Sequence, residues 1–141
     1  MRGKVITMTA LGFSAVLILC SIPTFQNVVA AQEKGFTEKG HQLFRRYCAV
    51  CHGTDARGTG PAAAELKKQP ADLTVVQKRG EKFPTFQVMT FIEGEKVVPA
   101  HGTREMPIWG TVFRRTKGEM GQQADIYALV KYIESVQKYR Q

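Results

Sequence analysis

Three observations predict that this chain folds as a small all-α domain. Apolar residues recur at spacings of three and four near both ends, no segment alternates as a half-buried strand would, and Gly and Pro punctuate the stretch between. At one end Phe36, Gly40, Leu43, Phe44 and Tyr47 share a helical face, which predicts an amphipathic helix from about Thr37, its N-cap, toward Cys48. At the other end Ile126, Leu129, Val130, Ile133 and Val136 repeat the pattern, with Asp125 in the first turn, where negative charge suits the helix dipole. Gly40 has no side chain to hold the two terminal helices apart, and Phe44 and Tyr132 are the expected neighbours across that contact. Shorter helical pieces are expected over 62–68, alanine-rich and stopped by Pro70, and over 85–93. The latter has Thr85 as N-cap, an apolar face of Val88, Met89 and Ile92, and Gly94 as its stop.

The ends of the chain divide it into two parts. Arg2 and Lys4 precede a mostly apolar run from Val5 to Ile22, and small residues follow at Ala30 and Ala31. Residues 1–31 therefore read as a secretory signal peptide cleaved after Ala30 or after Ala31, or as an uncleaved N-terminal membrane anchor. Lipid attachment at Cys20 is disfavoured, because Leu19 stands where such signals carry a small residue. Residues 32–141, about 110 in all, suffice for one domain. The domain is expected to be exported, to the periplasm. The chain carries 20 Lys+Arg against 12 Asp+Glu, a net charge of +8, and setting Arg2 and Lys4 aside leaves +6. The cations are scattered, with no dense run and no nucleic-acid-binding motif, so nucleic acid is not an expected partner. A subset of them could face an acidic protein surface.

Chemistry concentrates in Cys48-Ala49-Val50-Cys51-His52. Two thiols separated by two residues, with an imidazole directly after the second, have the spacing for covalent c-type haem attachment. Each thiol adds across one porphyrin vinyl group, and His52 then lies under the iron as its proximal ligand. A zinc site would require further thiol or imidazole ligands at comparable spacing, but the other cysteine, Cys20, lies in the apolar N-terminal run. A thioredoxin-like pair would follow a strand, whereas the residues before Cys48 read as helix.

Met106 is the expected ligand on the opposite face of the iron. It precedes Pro107 in a loop rich in Gly and Pro, from which a thioether can reach in. Met89 fits the packed face of its helix, and Met120 is a weaker loop candidate. His101, in the same loop as Met106, and His41, on the polar side of the first helix, are the imidazole rivals. The other ring nitrogen of His52 needs an acceptor, which a backbone carbonyl of Gly60-Pro61 could supply. Trp109 suits the haem edge, with its N–H toward a propionate, and also plain core packing, two roles that do not exclude each other.

Taken together, the first helix, Cys48 to Gly53, Gly60-Pro61, Pro70 to Thr74, Met106-Pro107 with Trp109-Gly110, and Asp125 to Ile133 resemble the bacterial class I cytochromes c. The resemblance implies a small cytochrome c fold around one haem c, with His52 and Met106 axial, Pro61 supporting His52, and one haem edge exposed. It implies an electron carrier, not an enzyme, that passes single electrons between redox protein partners. A dedicated subunit of an exported oxidoreductase complex, or a haem enzyme or gas sensor with an open sixth site, are the alternatives. The segment 94–101 departs from the family pattern and leaves the partner undefined.

Overall fold

The computed structural model describes residues 25–94 and 106–139. The chain is all-α, and no strand occurs among the described residues. Helix α1 (Phe25–Tyr47) leads almost directly into the short α2 (Ala49–His52). Two single 3₁₀ turns follow, Ala63–Glu65 and Leu73–Val75, then α3 (Thr85–Glu93) and the long α4 (Trp109–Ser135).

The core is the packing of α1 on α4. Phe44, Ile126, Ala128, Leu129 and Val130 have no exposed surface, and Leu43, Tyr132 and Ile133 are buried beside them. Burying each large side chain contributes about 1.5–3 kcal/mol. Gly40 sets the approach: a Cβ placed there would lie 1.9 Å from the Ala128 carbonyl oxygen and 2.8 Å from the Tyr132 Cβ. The Phe44 and Tyr132 rings meet with centroids 5.0 Å apart, as the sequence pattern indicated. His41 stacks on Tyr132 at 5.0 Å, so it is half-buried in the helix pair and not a surface group.

The structure departs from expectation at several boundaries. Helix α1 begins at Phe25, well before Thr37, and Thr37 is no N-cap: its hydroxyl donates to the Glu33 carbonyl within the helix. The added turns are tied to α4, since Phe36 packs edge-on against Tyr127 at 4.9 Å and Glu33 accepts from Tyr127 and pairs with Lys131. Both expected cleavage points lie inside α1, in an exposed stretch ahead of Glu33. The alanine-rich stretch 62–68 forms only the turn Ala63–Glu65, because the Ala62 N–H is taken by the Val50 carbonyl and Leu66 is extended. Helix α3 matches expectation, with Val88 and Ile92 buried and Gly94 closing it at φ 87°, although Pro84 precedes it where Thr85 was expected to cap.

Helix α4 starts at Trp109, far ahead of Asp125, and is broken at Gly118, where φ 71° and ψ −179° are not helical. Asp125 is thus not a first-turn residue. It is 1% exposed and bound by two lysines, Lys39 of α1 at 2.7 Å and Lys117 from beyond the break at 2.5 Å. Burial pushes its carboxyl up, but the hydrogen bonds from Lys117 and Lys39 outweigh this and hold it below the usual range.

Gly40→Ala should lower stability by about 3 kcal/mol, read as a lower urea midpoint, because backbone must move to admit the methyl group. Asp125→Asn should cost about 2 kcal/mol at neutral pH. The folded-state pKa of Asp125 is depressed, so its contribution is present above the unfolded value near 3.8 and is lost as pH falls through the folded one. The difference between the wild-type midpoint and that of the Asp125→Asn variant should therefore shrink below about pH 4.

Candidate haem attachment site

Helix α1 delivers the motif directly. The Cys48 N–H donates to the Phe44 carbonyl, and the Cys51 and His52 N–H groups both donate to the Cys48 carbonyl. The short helix therefore holds both thiols and the imidazole on one rigid turn. A loop clamps it from outside: Gly58 N–H to His52 O at 2.7 Å, Gly60 N–H to Cys51 O at 3.0 Å and Ala62 N–H to Val50 O at 2.9 Å. Only glycine fits at position 60, where a Cβ would lie 2.5 Å from the Val50 oxygen and 2.6 Å from the Ala49 oxygen.

The acceptor beside His52 is the Ala71 carbonyl, 3.1 Å from Nδ1, and not a carbonyl of Gly60-Pro61. The reason lies in the loop: the Gly60 and Ala62 N–H groups face the motif, and Pro61 is exposed. The segment carrying Ala71 reaches His52 because Gly58 admits it, a Cβ there falling 2.1 Å from the Pro70 oxygen. Three further contacts fix that segment. Leu73 N–H donates to Ala56 O, the Asp72 carboxylate accepts from the Thr74 N–H and hydroxyl, and Gln137 Nε2 donates to Leu73 O at 2.6 Å. Gln137, 5% exposed, also accepts from the Gln77 N–H across a separation of 60 residues. Sequence reasoning passed over Ala71 and Gln137; the run Pro70 to Thr74, with an Asp-x-Thr turn, was the available signal.

With Nδ1–H donated to Ala71, the lone pair of His52 lies on Nε2, the tautomer a metal ligand requires. Burial lowers the imidazole pKa, which the Ala71 bond partly offsets, so the ring is neutral at neutral pH. Burial and then the neighbouring Cys51 push the Cys48 thiol up to about 12. A redox-active pair would have a depressed thiol, so this environment keeps Cys48 a neutral thiol suited to a thioether. Among the described residues no three His, Cys, Asp or Glu side chains gather as a metal cluster. The donor set fits haem c: two half-buried thiols beside an imidazole oriented by backbone.

The expected distal residues are only partly brought together with this turn. Met106 lies 37% exposed just ahead of α4. Trp109 opens α4 and packs at 5.4 Å from Tyr47 and 5.7 Å from Phe113. Met120 is 84% exposed on α4, so it does not lie in a loop, and Met89 is half-buried against the core. His101 and Cys20 lie outside the described residues.

An all-α domain that presents paired thiols and an oriented imidazole on one helical turn defines a haem-attachment protein. The Cytochrome c family model matches residues 37–137, and the chain belongs to that family. It is a haem-binding electron-transfer protein with covalently attached haem c. No curated protein and no solved structure matches it significantly.

Gly60→Ala should displace the clamping loop from the motif and cost about 2–3 kcal/mol. The check is the chemical denaturation of the haem-loaded protein, followed in the Soret band.

Proposed function

We propose that the protein is an exported mono-haem cytochrome c that shuttles single electrons in the periplasm through an iron held by His52 and Met106. The observation that carries this reading is the Nδ1 bond of His52 to Ala71, which leaves the lone pair on Nε2 in a turn that also carries the half-buried thiols of Cys48 and Cys51. Haem c, when bound, supplies a one-electron ferric/ferrous couple. Cys48 and Cys51 hold the porphyrin by thioethers, and the clamped α2 turn keeps His52 in one orientation through both oxidation states. Met106 would supply a soft thioether ligand, which would favour the ferrous state and a relatively high potential. Keeping both residues in place would hold the reorganisation on each transfer small.

Export rests on the n-region, apolar run and small residues of positions 1–31, whether these are cleaved or kept as an anchor. Among the described residues no helix is long and apolar enough to cross a membrane. Arg45 and Arg46 stand exposed in the last turn of α1, immediately ahead of the motif, so positive charge flanks the attachment turn. That placement supports redox partners with acidic docking surfaces, free or within an oxidoreductase complex.

The test is an optical spectrum of the purified protein, ferric and ferrous, followed by carbon monoxide. The wild type should be low-spin, show the weak far-red ferric band of sulfur ligation, and not bind carbon monoxide at neutral pH. Met106→Ala should lose the far-red band and bind carbon monoxide readily. A high-spin wild type that takes up carbon monoxide would overturn the carrier and point to an enzyme or gas sensor with an open sixth site.

A further inference from the structure

The break in α4 separates a short helical arm, 109–117, from the long stretch that packs on α1. Gly118 at φ 71° lies where other residues are strained, and nothing sits within 4 Å of the place its Cβ would take. Backbone conformation, not crowding, thus requires the glycine. A break of this kind interrupts the regular helical ladder, so side chains that cross it set the angle between the two stretches.

Two such side chains cross it. Arg114 Nε donates to Gln122 Oε1 at 2.8 Å, and Lys117 Nζ binds Asp125 Oδ2 at 2.5 Å. Their acceptors belong to the core: Gln122 is 4% exposed, and Asp125 is 1% exposed and held independently by Lys39 of α1. The route of Lys117 is built in, because a Cβ at Gly121 would fall 2.6 Å from the Lys117 Cβ. At its other end the arm rests Phe113 and Trp109 on Tyr47, and Gly110 against the backbone of Glu93. Met106 is joined to this end through Pro107 and Ile108.

We propose that Lys117 is a positioning residue for Met106: its bond to Asp125 across Gly118 sets the angle of the arm and so holds the methionine on the iron. The proposal rests on the His52/Met106 reading above. Lys39 provides a matched control. It binds the same carboxylate, with 43% of its side chain exposed against 44% for Lys117, but it comes from α1 and not from the arm.

The experiment titrates the ferric haem-loaded protein with imidazole, following the far-red band, and measures the denaturation midpoint by far-UV circular dichroism. Apparent imidazole affinity rises in proportion to the fraction of molecules in which Met106 has left the iron. Lys117→Met should raise that affinity about tenfold, whereas Lys39→Met should leave it within about twofold while lowering the midpoint comparably. Lys117→Arg should restore the wild-type affinity. Gly121→Ala keeps the lysine but obstructs its stem, and should shift affinity in the same direction as Lys117→Met, so the test survives a poorly folding variant. Equal affinity changes in Lys117→Met and Lys39→Met would overturn the proposal, as would an unchanged Lys117→Met beside a Met106→Ala protein that binds far more tightly. A Met106→Ala protein with the wild-type spectrum and affinity would remove Met106 from the iron and overturn both readings.

Discussion

The close approach of α1 and α4 at Gly40 is the constraint on which the rest of the molecule depends. A hydrogen in place of a side chain lets the Ala128 carbonyl come against the α1 backbone, and the aromatic contacts of Phe36, His41 and Phe44 follow from that spacing. The attachment turn continues from the C-terminal end of α1, so it inherits its position from this pair. Both supports of the site also hang from α4. Gln137, just past its end, pins the segment that carries Ala71, while the arm ahead of Gly118 leads back to Met106. One helix contact therefore places both the attachment turn and the arm that leads back to Met106.

Charge plays a local part in this scaffold. Lys131 sits between Glu33 and Glu134 at 2.7 Å from each, and its ammonium is held above the usual range despite partial burial. Pairs this exposed contribute modestly next to the burial of Phe44, Phe113 and Leu129, and of the two only Lys131–Glu33 joins α1 to α4. Asp125 differs, because its carboxylate is enclosed and each oxygen has its own lysine.

What could be read in the sequence was what repeats or has a fixed spacing. The apolar period around Leu43 and Leu129 located the terminal helices, and the spacing of Cys48, Cys51 and His52, in agreement with the flanking features, pointed to the haem. The Gly40 contact followed from one residue type at one place. The rest depended on partners distant in sequence. Glu33 extends α1 because Tyr127 and Lys131 stand across from it, which no local window shows. The stretch 62–68 favours helix by composition, yet its first N–H, at Ala62, serves the Val50 carbonyl of the motif and only one 3₁₀ turn follows. The carbonyl beside His52 was sought in Gly60-Pro61 because that loop is nearer in sequence; Ala71, 19 residues away, is nearer in space.

That the acceptor at Ala71 belongs to the main chain has a bearing on how such a protein can drift. Every amino acid carries the same carbonyl, so substitutions at this position can vary side-chain chemistry without altering the proton that orients His52. What cannot vary is the path of the chain through 70–74, and this path is kept by Gly58, Asp72, Thr74 and Gln137. The residue that touches the ligand's ring is thereby open to change, and the restraint passes to four other residues, one of which, Gly58, also bonds the His52 carbonyl.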